Sequence, residues 1–162
     1  MEAECVDCRK PKASLECGIC SSSVCRGCAL TPPQGAFLLL PTIPEQFAHS
    51  RYCGACYSEQ VEPELGVYEE TLERAKQILI FFKTQKKGLR IVRKERIPEQ
   101  VDACQDRDET ILRLAYIAAS KGYNSVIEVE VTSKKVRNEG YQTSVWYGTG
   151  LSADTVTYDN DE

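Results

Sequence analysis

The chain has 162 residues, of which 42% are apolar and 27% charged, and its 24 acidic and 20 basic side chains leave a net charge of −4 at pH 7. This acidity argues against nonspecific nucleic-acid binding by the molecule as a whole, although local basic patches are compatible with it. No apolar run approaches the ~18 residues of a membrane span, and the N-terminus lacks the basic start and apolar core of a signal peptide. We therefore expect a cytoplasmic protein with no transmembrane segment, and its richness in cysteine, nine in all, indicates metal ligands rather than disulfides.

Four Cys-x-x-Cys pairs dominate the first third of the chain. This spacing lets both sulfurs of a tight turn reach one Zn2+, and the eight thiols fill two tetrahedral sites. A site closed by four cysteines has no open position at which to activate water or bind a substrate. The pattern therefore predicts a structural module with two zinc ions per chain. Few apolar residues lie among the first three pairs, so metal must supply the folding free energy of this segment.

Two pairings of these cysteines satisfy the spacing. In a sequential arrangement, the first and second pairs share one ion and the third and fourth pairs share the other. In a cross-brace, the first and third pairs share one ion, and the second and fourth pairs share the other. The long interval before the last pair favours the cross-brace, because a late return of the chain is then tied to an early segment. The predicted ligands are Cys5, Cys8, Cys25 and Cys28 for the first zinc, and Cys17, Cys20, Cys53 and Cys56 for the second.

The order and spacing of the pairs over residues 5–57 resemble those of the FYVE zinc finger and, more distantly, the PHD finger. The last pair lies in Arg51-Tyr-Cys-Gly-Ala-Cys-Tyr57, which is similar to the FYVE ending RVCxxCY. The resemblance implies a cross-brace fold and recruitment to membranes through phosphatidylinositol 3-phosphate. The stretch that matches the family's basic lipid-binding motif keeps Lys12 but places Glu16 beside a cysteine. A phosphate cradle needs several cations, so this composition favours a finger kept for folding or protein contact, with a lipid headgroup as the alternative ligand.

Two further features lie between the third and fourth pairs. His49 is the lone histidine of the chain, and because eight thiols already saturate two sites, we interpret it as a surface or packing residue. The loop over residues 31–44 is punctuated by prolines and is not a long helix. Its apolar run over residues 37–40 is predicted to be a short buried strand, with an exposed contact patch or a membrane-inserting loop as alternatives.

An amphipathic helix is predicted over residues 61–88, joining the finger to the second half of the chain. Its apolar stripe has helical spacing, acidic residues lie in its first turns and lysines in its last, and Gly88 is the predicted stop. The stripe consists of Tyr68, Leu72, Ala75, Leu79 and Phe82. Seven basic residues against one acid over residues 83–96 form a patch that could meet anionic lipid or nucleic acid, although a solvated face is the more common role of such a run.

A small α/β domain is predicted over residues 89–152, followed by an acidic tail over residues 153–162 that we expect to fray. Asp106 or Asp108 is the predicted helix cap, Gly122 its left-handed stop, and residues 138–140 a turn. The predicted elements are a strand over 89–97, a helix over 108–121, a strand over 125–132 and a hairpin strand over 141–147. With a finger over residues 1–60, the fold class is α+β: a two-zinc cross-brace finger, a helix and a β-α-β-β domain.

The second half also resembles a known family. A short helix, the segment Lys121-Gly-Tyr-Asn-Ser-Val126, a strand and a hairpin strand that ends in Gly148-Thr-Gly150 are similar to the small bacterial YbjQ-like domains, which are described as heavy-metal-binding. The resemblance implies a ring-like homo-oligomer. No soft-metal cluster of its own lies in this half, since Cys104 is its single thiol and we interpret it as a buried apolar residue.

Three classes of function are compatible with a zinc finger joined to an α/β domain. The first is a non-enzymatic adaptor that contacts a protein partner, and the second is a membrane-recruitment module that binds an anionic lipid. The third, an enzyme, lacks a Ser/His/Asp set and a phosphate-binding glycine loop in the sequence. We therefore expect an adaptor that is not an enzyme.

Overall fold

The computed structural model describes residues 3–40, 42–84 and 89–157. It has the predicted α+β class and divides into two compact units, one of Met1–Leu38 with Thr42–Glu69 and one of Leu39–Pro41 with Glu70–Glu162. Among the described residues, no helix combines the length and apolar character that crossing a membrane requires.

The first unit contains little regular structure. Strands β1 (Leu15–Glu16) and β2 (Ser23–Val24) form a short antiparallel hairpin, and a 3-10 turn spans Glu45–Phe47. The predicted strand at residues 37–40 is wrong, because these residues form turns. The expected burial holds for Phe37, whose ring stacks on Phe47 with centroids 4.9 Å apart, whereas Leu38 is 52% exposed.

Helical structure begins at Gly54, inside the fourth cysteine pair. Helix α1 (Gly54–Cys56) continues through a π-helical turn over Tyr57–Val61 into α2 (Glu62–Ala75). Pro63 explains the wide turn, because it lacks the N–H that would bond the carbonyl four residues earlier. The Glu62 N–H instead donates to the carbonyl of Tyr57. The cysteine pair is thereby held rigidly at the start of a helix.

The helix predicted over residues 61–88 is wrong beyond Ala75. A tight turn follows, in which Ile78 N–H donates to the Ala75 carbonyl, and strand β3 (Leu79–Phe82) comes next. Branched and aromatic side chains favour a strand here, and parallel pairing with a buried neighbour overrides the helical spacing of Leu79 and Phe82. The predicted stop at Gly88, with Lys86 and Lys87, lies outside the described residues.

The second unit is built on a five-stranded mixed sheet. Its strands are β3, β4 (Leu89–Lys94), β5 (Glu99–Cys104), β6 (Ser125–Asn138) and β7 (Tyr141–Thr157). Along one edge β7 pairs with β6, and along the other it pairs first with β5 and then with β4. The predicted β-α-β-β order is therefore incomplete, because it omits β3 and β5.

The prediction of a frayed C-terminal tail over residues 153–162 is wrong for residues 153–157, which belong to β7. Ala153 and Asp154 lie within β7 and pair with β4, and Asp154 forms an ion pair with Arg93 at 2.8 Å. Asn124 fastens the same segment, since its side chain exchanges two hydrogen bonds of 2.9 Å with the backbone of Thr155. Residues 158–162 lie outside the described residues.

Helix α3 (Arg107–Ser120) covers one face of the sheet, and its predicted boundaries are confirmed. The Asp106 carboxylate caps the helix by accepting from the Glu109 N–H at 2.7 Å. Gly122 has φ +83° after the last turn, as a left-handed stop requires. The predicted turn between β6 and β7 is also present, with positive φ at Glu139 and Gly140.

The main core lies between α3 and the sheet. It contains Cys104, which is 2% exposed and behaves as the predicted small apolar residue. Gly148 of β7 allows the close approach of α3: a Cβ at this position would lie 2.5 Å from Thr110 Cγ2 and 3.2 Å from Leu114 Cδ1. The helix therefore packs against bare backbone at this point of the strand.

Gly148→Ala tests this contact. Because the added methyl group would overpack a buried interface, we expect the substitution to destabilise the second unit by about 1–3 kcal/mol. Urea unfolding followed through Trp146, the single tryptophan, measures this free energy. Gly66→Ala is the control, because its Cβ meets nothing within 4 Å, and it should leave the Trp146 transition unchanged. Equal transitions for both variants would contradict close packing at Gly148.

Candidate metal centre

All four Cys-x-x-Cys pairs have the same backbone turn. In each pair, the N–H of the residue after the second cysteine donates to the carbonyl of the first cysteine, at 2.9–3.0 Å. The residues that donate are Arg9, Ser21, Ala29 and Tyr57. This turn directs both side chains of a pair toward one point, which is the geometry needed for two sulfurs to share an ion.

The structure brings the eight thiols together in the two predicted sets. Cys5, Cys8, Cys25 and Cys28 form one set and Cys17, Cys20, Cys53 and Cys56 the other, and within each set the ligand atoms lie within 4.8 Å of one another. The sequential arrangement is therefore not adopted, and the sets interleave along the chain as in a cross-brace.

The distances between sulfurs match zinc coordination. Four sulfurs about 2.3 Å from a tetrahedral zinc lie about 3.8 Å from each other. The Sγ atoms of Cys8 and Cys25 are 3.6 Å apart, and those of Cys20 and Cys53 are 3.8 Å apart. A disulfide would need about 2.05 Å, and all nine cysteines are free thiols. The two sets thus fit two zinc ions per chain.

Within the first set, the thiols differ sharply in acidity. Backbone N–H groups of Cys8 and Cys25 donate to the Cys5 sulfur and lower its pKa to about 6. Hydrogen bonding with the Cys25 and Cys8 sulfurs raises the pKa of Cys28 to about 12. The surroundings of Cys5 therefore favour its thiolate, whereas those of Cys28 favour its thiol. A bound Zn2+ would supply positive charge and displace the protons.

The second set shows the same division. Burial opposes ionisation of Cys17, but backbone N–H groups of Cys53 and Cys20 outweigh it and lower the pKa to about 6. The Ser22 hydroxyl and N–H lower the pKa of Cys20. Burial raises the pKa of Cys53 and Cys56. The backbone is thus arranged to stabilise thiolates, which are the form of cysteine that binds metal.

A carboxylate connects the first and fourth pairs. The Asp7 side chain, inside the first pair, accepts a hydrogen bond of 2.9 Å from the Gly54 N–H inside the fourth pair. Because the first pair belongs to one set and the fourth to the other, this bond joins the two sets directly. It also satisfies an N–H in the first turn of α1 that has no partner within the helix.

His49 packs on the second pair and belongs to neither set. Its side chain covers Gly18, so closely that a Cβ on Gly18 would lie 2.4 Å from His49 Cβ. The Gly18 N–H donates to the Arg51 carbonyl, and the buried Tyr52 hydroxyl accepts from the His49 N–H. The interpretation of His49 as a packing residue fits this position.

Three residues of the metal centre were missed at the level of sequence, namely Asp7, Gly18 and Tyr52. Asp7 and Gly18 depend on partners more than 30 positions away, Gly18 through the absence of a side chain beneath His49. The sequence does show an aspartate and a glycine within Cys-x-x-Cys pairs. Their contact partners, however, follow only from which cysteine pairs share a metal ion. Tyr52 is fully buried and pairs with Leu30 in an isolated bridge.

Chemically, each set is closed. Four thiolates complete a tetrahedral zinc site and leave no position for water or substrate, so such an ion stabilises the fold and does not activate a reactant.

Comparison with known proteins does not assign the chain to a family: no family model, curated protein or solved structure matches it.

Paired cysteine substitutions test the interleaving. Cys8→Ser with Cys25→Ser alters one set, so we expect one zinc ion to remain by elemental analysis. Cys8→Ser with Cys20→Ser alters both sets and should leave none. Sequential pairing would give the opposite result, because Cys8 and Cys20 would then share an ion. Both double variants remove the same number of thiols, so each serves as the control for the other.

Gly18→Ala tests the packing beneath His49. The new methyl group must displace His49, and at a cost of about 1–3 kcal/mol zinc retention against a competing chelator should fall about 5- to 150-fold. We expect only one of the two ions to be lost, because Gly18 lies between Cys17 and Cys20 of the second set. Gly18→Ala with His49→Gly removes the clash and should restore retention. Failure of this rescue would contradict the steric account.

Proposed function

We propose that this protein is a non-enzymatic adaptor in which a FYVE-like two-zinc finger contacts a protein partner and a YbjQ-like α/β domain self-associates. The observation that carries the proposal is the closure of both metal sets by four sulfurs each. Because closed zinc sites stabilise a fold and bind no substrate, the finger would bind a partner through the residues on its surface. Binding through a metal-fastened surface is therefore the role that this chemistry supports best.

Exposed apolar side chains on the finger support a protein contact. Val6 and Leu30 are each 40% exposed and Leu38 is 52% exposed. Val6 lies in the turn of the first cysteine pair, which the Cys5 and Asp7 hydrogen bonds hold in place. Apolar groups presented on a rigid turn bind a partner with little loss of conformational entropy.

The competing function is recruitment to an anionic lipid surface. It would depend on three exposed cations of the finger, Lys10, Lys12 and Arg51. Against it, Phe37 is 2% exposed and so is not available for insertion into a membrane, and the finger also exposes an acidic side chain, Glu16. The adaptor is therefore the first choice, and lipid binding is an outcome that the same experiment detects.

Crosslinking and affinity capture from native lysate with zinc retained test the adaptor. We expect Val6→Asp with Leu38→Asp to lose the captured protein while two zinc ions remain per chain. Cys25→Ser should lose both one ion and the partner. Val67→Asp is the control, because Val67 is an apolar residue of α2 that is 57% exposed, at least as exposed as Val6 and Leu38, and it should keep the partner.

Sedimentation with vesicles that contain phosphatidylinositol 3-phosphate distinguishes the lipid function. Pull-down that weakens with salt and with Lys10→Glu and Lys12→Glu would replace the adaptor by the lipid hypothesis. A captured protein that survives Val6→Asp with Leu38→Asp would refute the proposed contact surface. Turnover of a substrate by the zinc-loaded chain would refute the non-enzymatic role.

A further inference from the structure

The β6–β7 hairpin extends beyond the rest of the sheet. β3 pairs with β6 only as far as Val129, and β5 pairs with β7 only as far as Trp146. From Lys134 to Val145, β6 and β7 pair with each other and with no other strand in the described part of the chain. We call residues 133–145 the ribbon. A two-stranded ribbon with two open edges is marginally stable alone, so a partner is expected.

The two faces of the ribbon differ in chemistry. Val131 and Trp146 pack toward α3, and because side chains alternate along a strand, the residues at every second position continue that face. On the ribbon, this face contains Ser133, Lys135, Arg137, Gln142 and Ser144, all of them exposed. In register, Arg137 lies opposite Gln142 and Lys135 opposite Ser144. This face therefore presents two cations, Lys135 and Arg137, beside two neutral hydrogen-bonding side chains, Ser144 and Gln142.

The charge of Lys135 and Arg137 is not neutralised internally, since neither forms an ion pair within residues 3–40, 42–84 and 89–157. Some other basic residues of the same unit do so, such as Lys83 with Glu130 and Arg93 with Asp154, whereas Arg90 and Lys94 of β4 form no ion pair among the described residues. The single acid of the ribbon sequence, at position 139, is in the turn rather than on the cationic face. Positive charge without an internal partner is complementary to an external anion.

We propose that the ribbon inserts its cationic face into the major groove of duplex DNA. The major groove admits a two-stranded ribbon. Arg137 and Gln142 are side chains of the types that make bidentate contacts with guanine and adenine edges, and Lys135 is suited to a phosphate. Duplex RNA is disfavoured because its major groove is deep and narrow. This site uses residues other than those of the proposed finger contact and goes beyond the adaptor function.

The affinity must be modest, because the whole chain is acidic. With the charge of one or two phosphates neutralised by Lys135 and Arg137, the logarithm of the binding constant should fall with the logarithm of salt concentration with a slope of about −1 to −2. Binding is therefore measured near ~50 mM KCl, where this electrostatic contribution is large. Fluorescence anisotropy of a labelled DNA duplex with the full zinc-loaded chain gives both the affinity and the slope.

Charge reversal on the ribbon tests the site. Lys135→Glu with Arg137→Glu should weaken binding at least about tenfold and remove most of the salt dependence. Arg90→Glu with Lys94→Glu changes the net charge equally on β4 of the same unit, and it should change binding by no more than about twofold. Zinc content and circular dichroism establish that all variants are folded. Methyl green, a major-groove ligand, should compete, whereas the minor-groove ligand netropsin should not.

Four outcomes would overturn the proposal: no duplex binding at low salt, equal losses in both charge reversals, competition by netropsin alone, or tighter binding to duplex RNA or to polyglutamate than to DNA. The last of these would assign the ribbon to another anionic partner. None of them bears on the finger, whose partner capture is measured with variants of Val6 and Leu38.

Discussion

Eight sulfur atoms packed into two small clusters impose the main constraint on this molecule. Thiolates that share a site repel each other, so a set of four needs a compensating positive charge. A dication in each set would remove the repulsion and link the segments that carry the four cysteine pairs. Coordination would thus add to the small buried apolar group of the first unit, which includes Val24, Phe37 and Tyr52.

The parts of the fold that follow from local chemistry could be predicted from the sequence. Paired cysteines indicate turns that share a metal, Asp106 and Gly122 delimit a helix, and residues 138–140 indicate a hairpin turn. The grouping of the sulfurs was favoured by the sequence but not decided by it, because both pairings satisfy the spacing and only the long final interval indicates interleaving.

The parts that were missed depend on partners distant in sequence. Residues 78–82 satisfy helical and strand patterns equally, and pairing with β6 decides between them. β5 is half polar and is interrupted by a bulge at Ala103, so its alternation is broken. The role of Asp154 depends on Arg93, and the role of Asp7 depends on Gly54. None of these partners can be identified from the neighbouring sequence.

The position of β7 in the sheet has a consequence for how the chain matures on the ribosome. Because β7 supplies a neighbour to three other strands, the second unit cannot close until residues 141–157 have left the exit tunnel. The eight sulfurs, by contrast, are all available once residue 56 has emerged, so the first unit can take up its metal while the rest is still being translated. Metal supply and completion of the sheet are thereby separated in time.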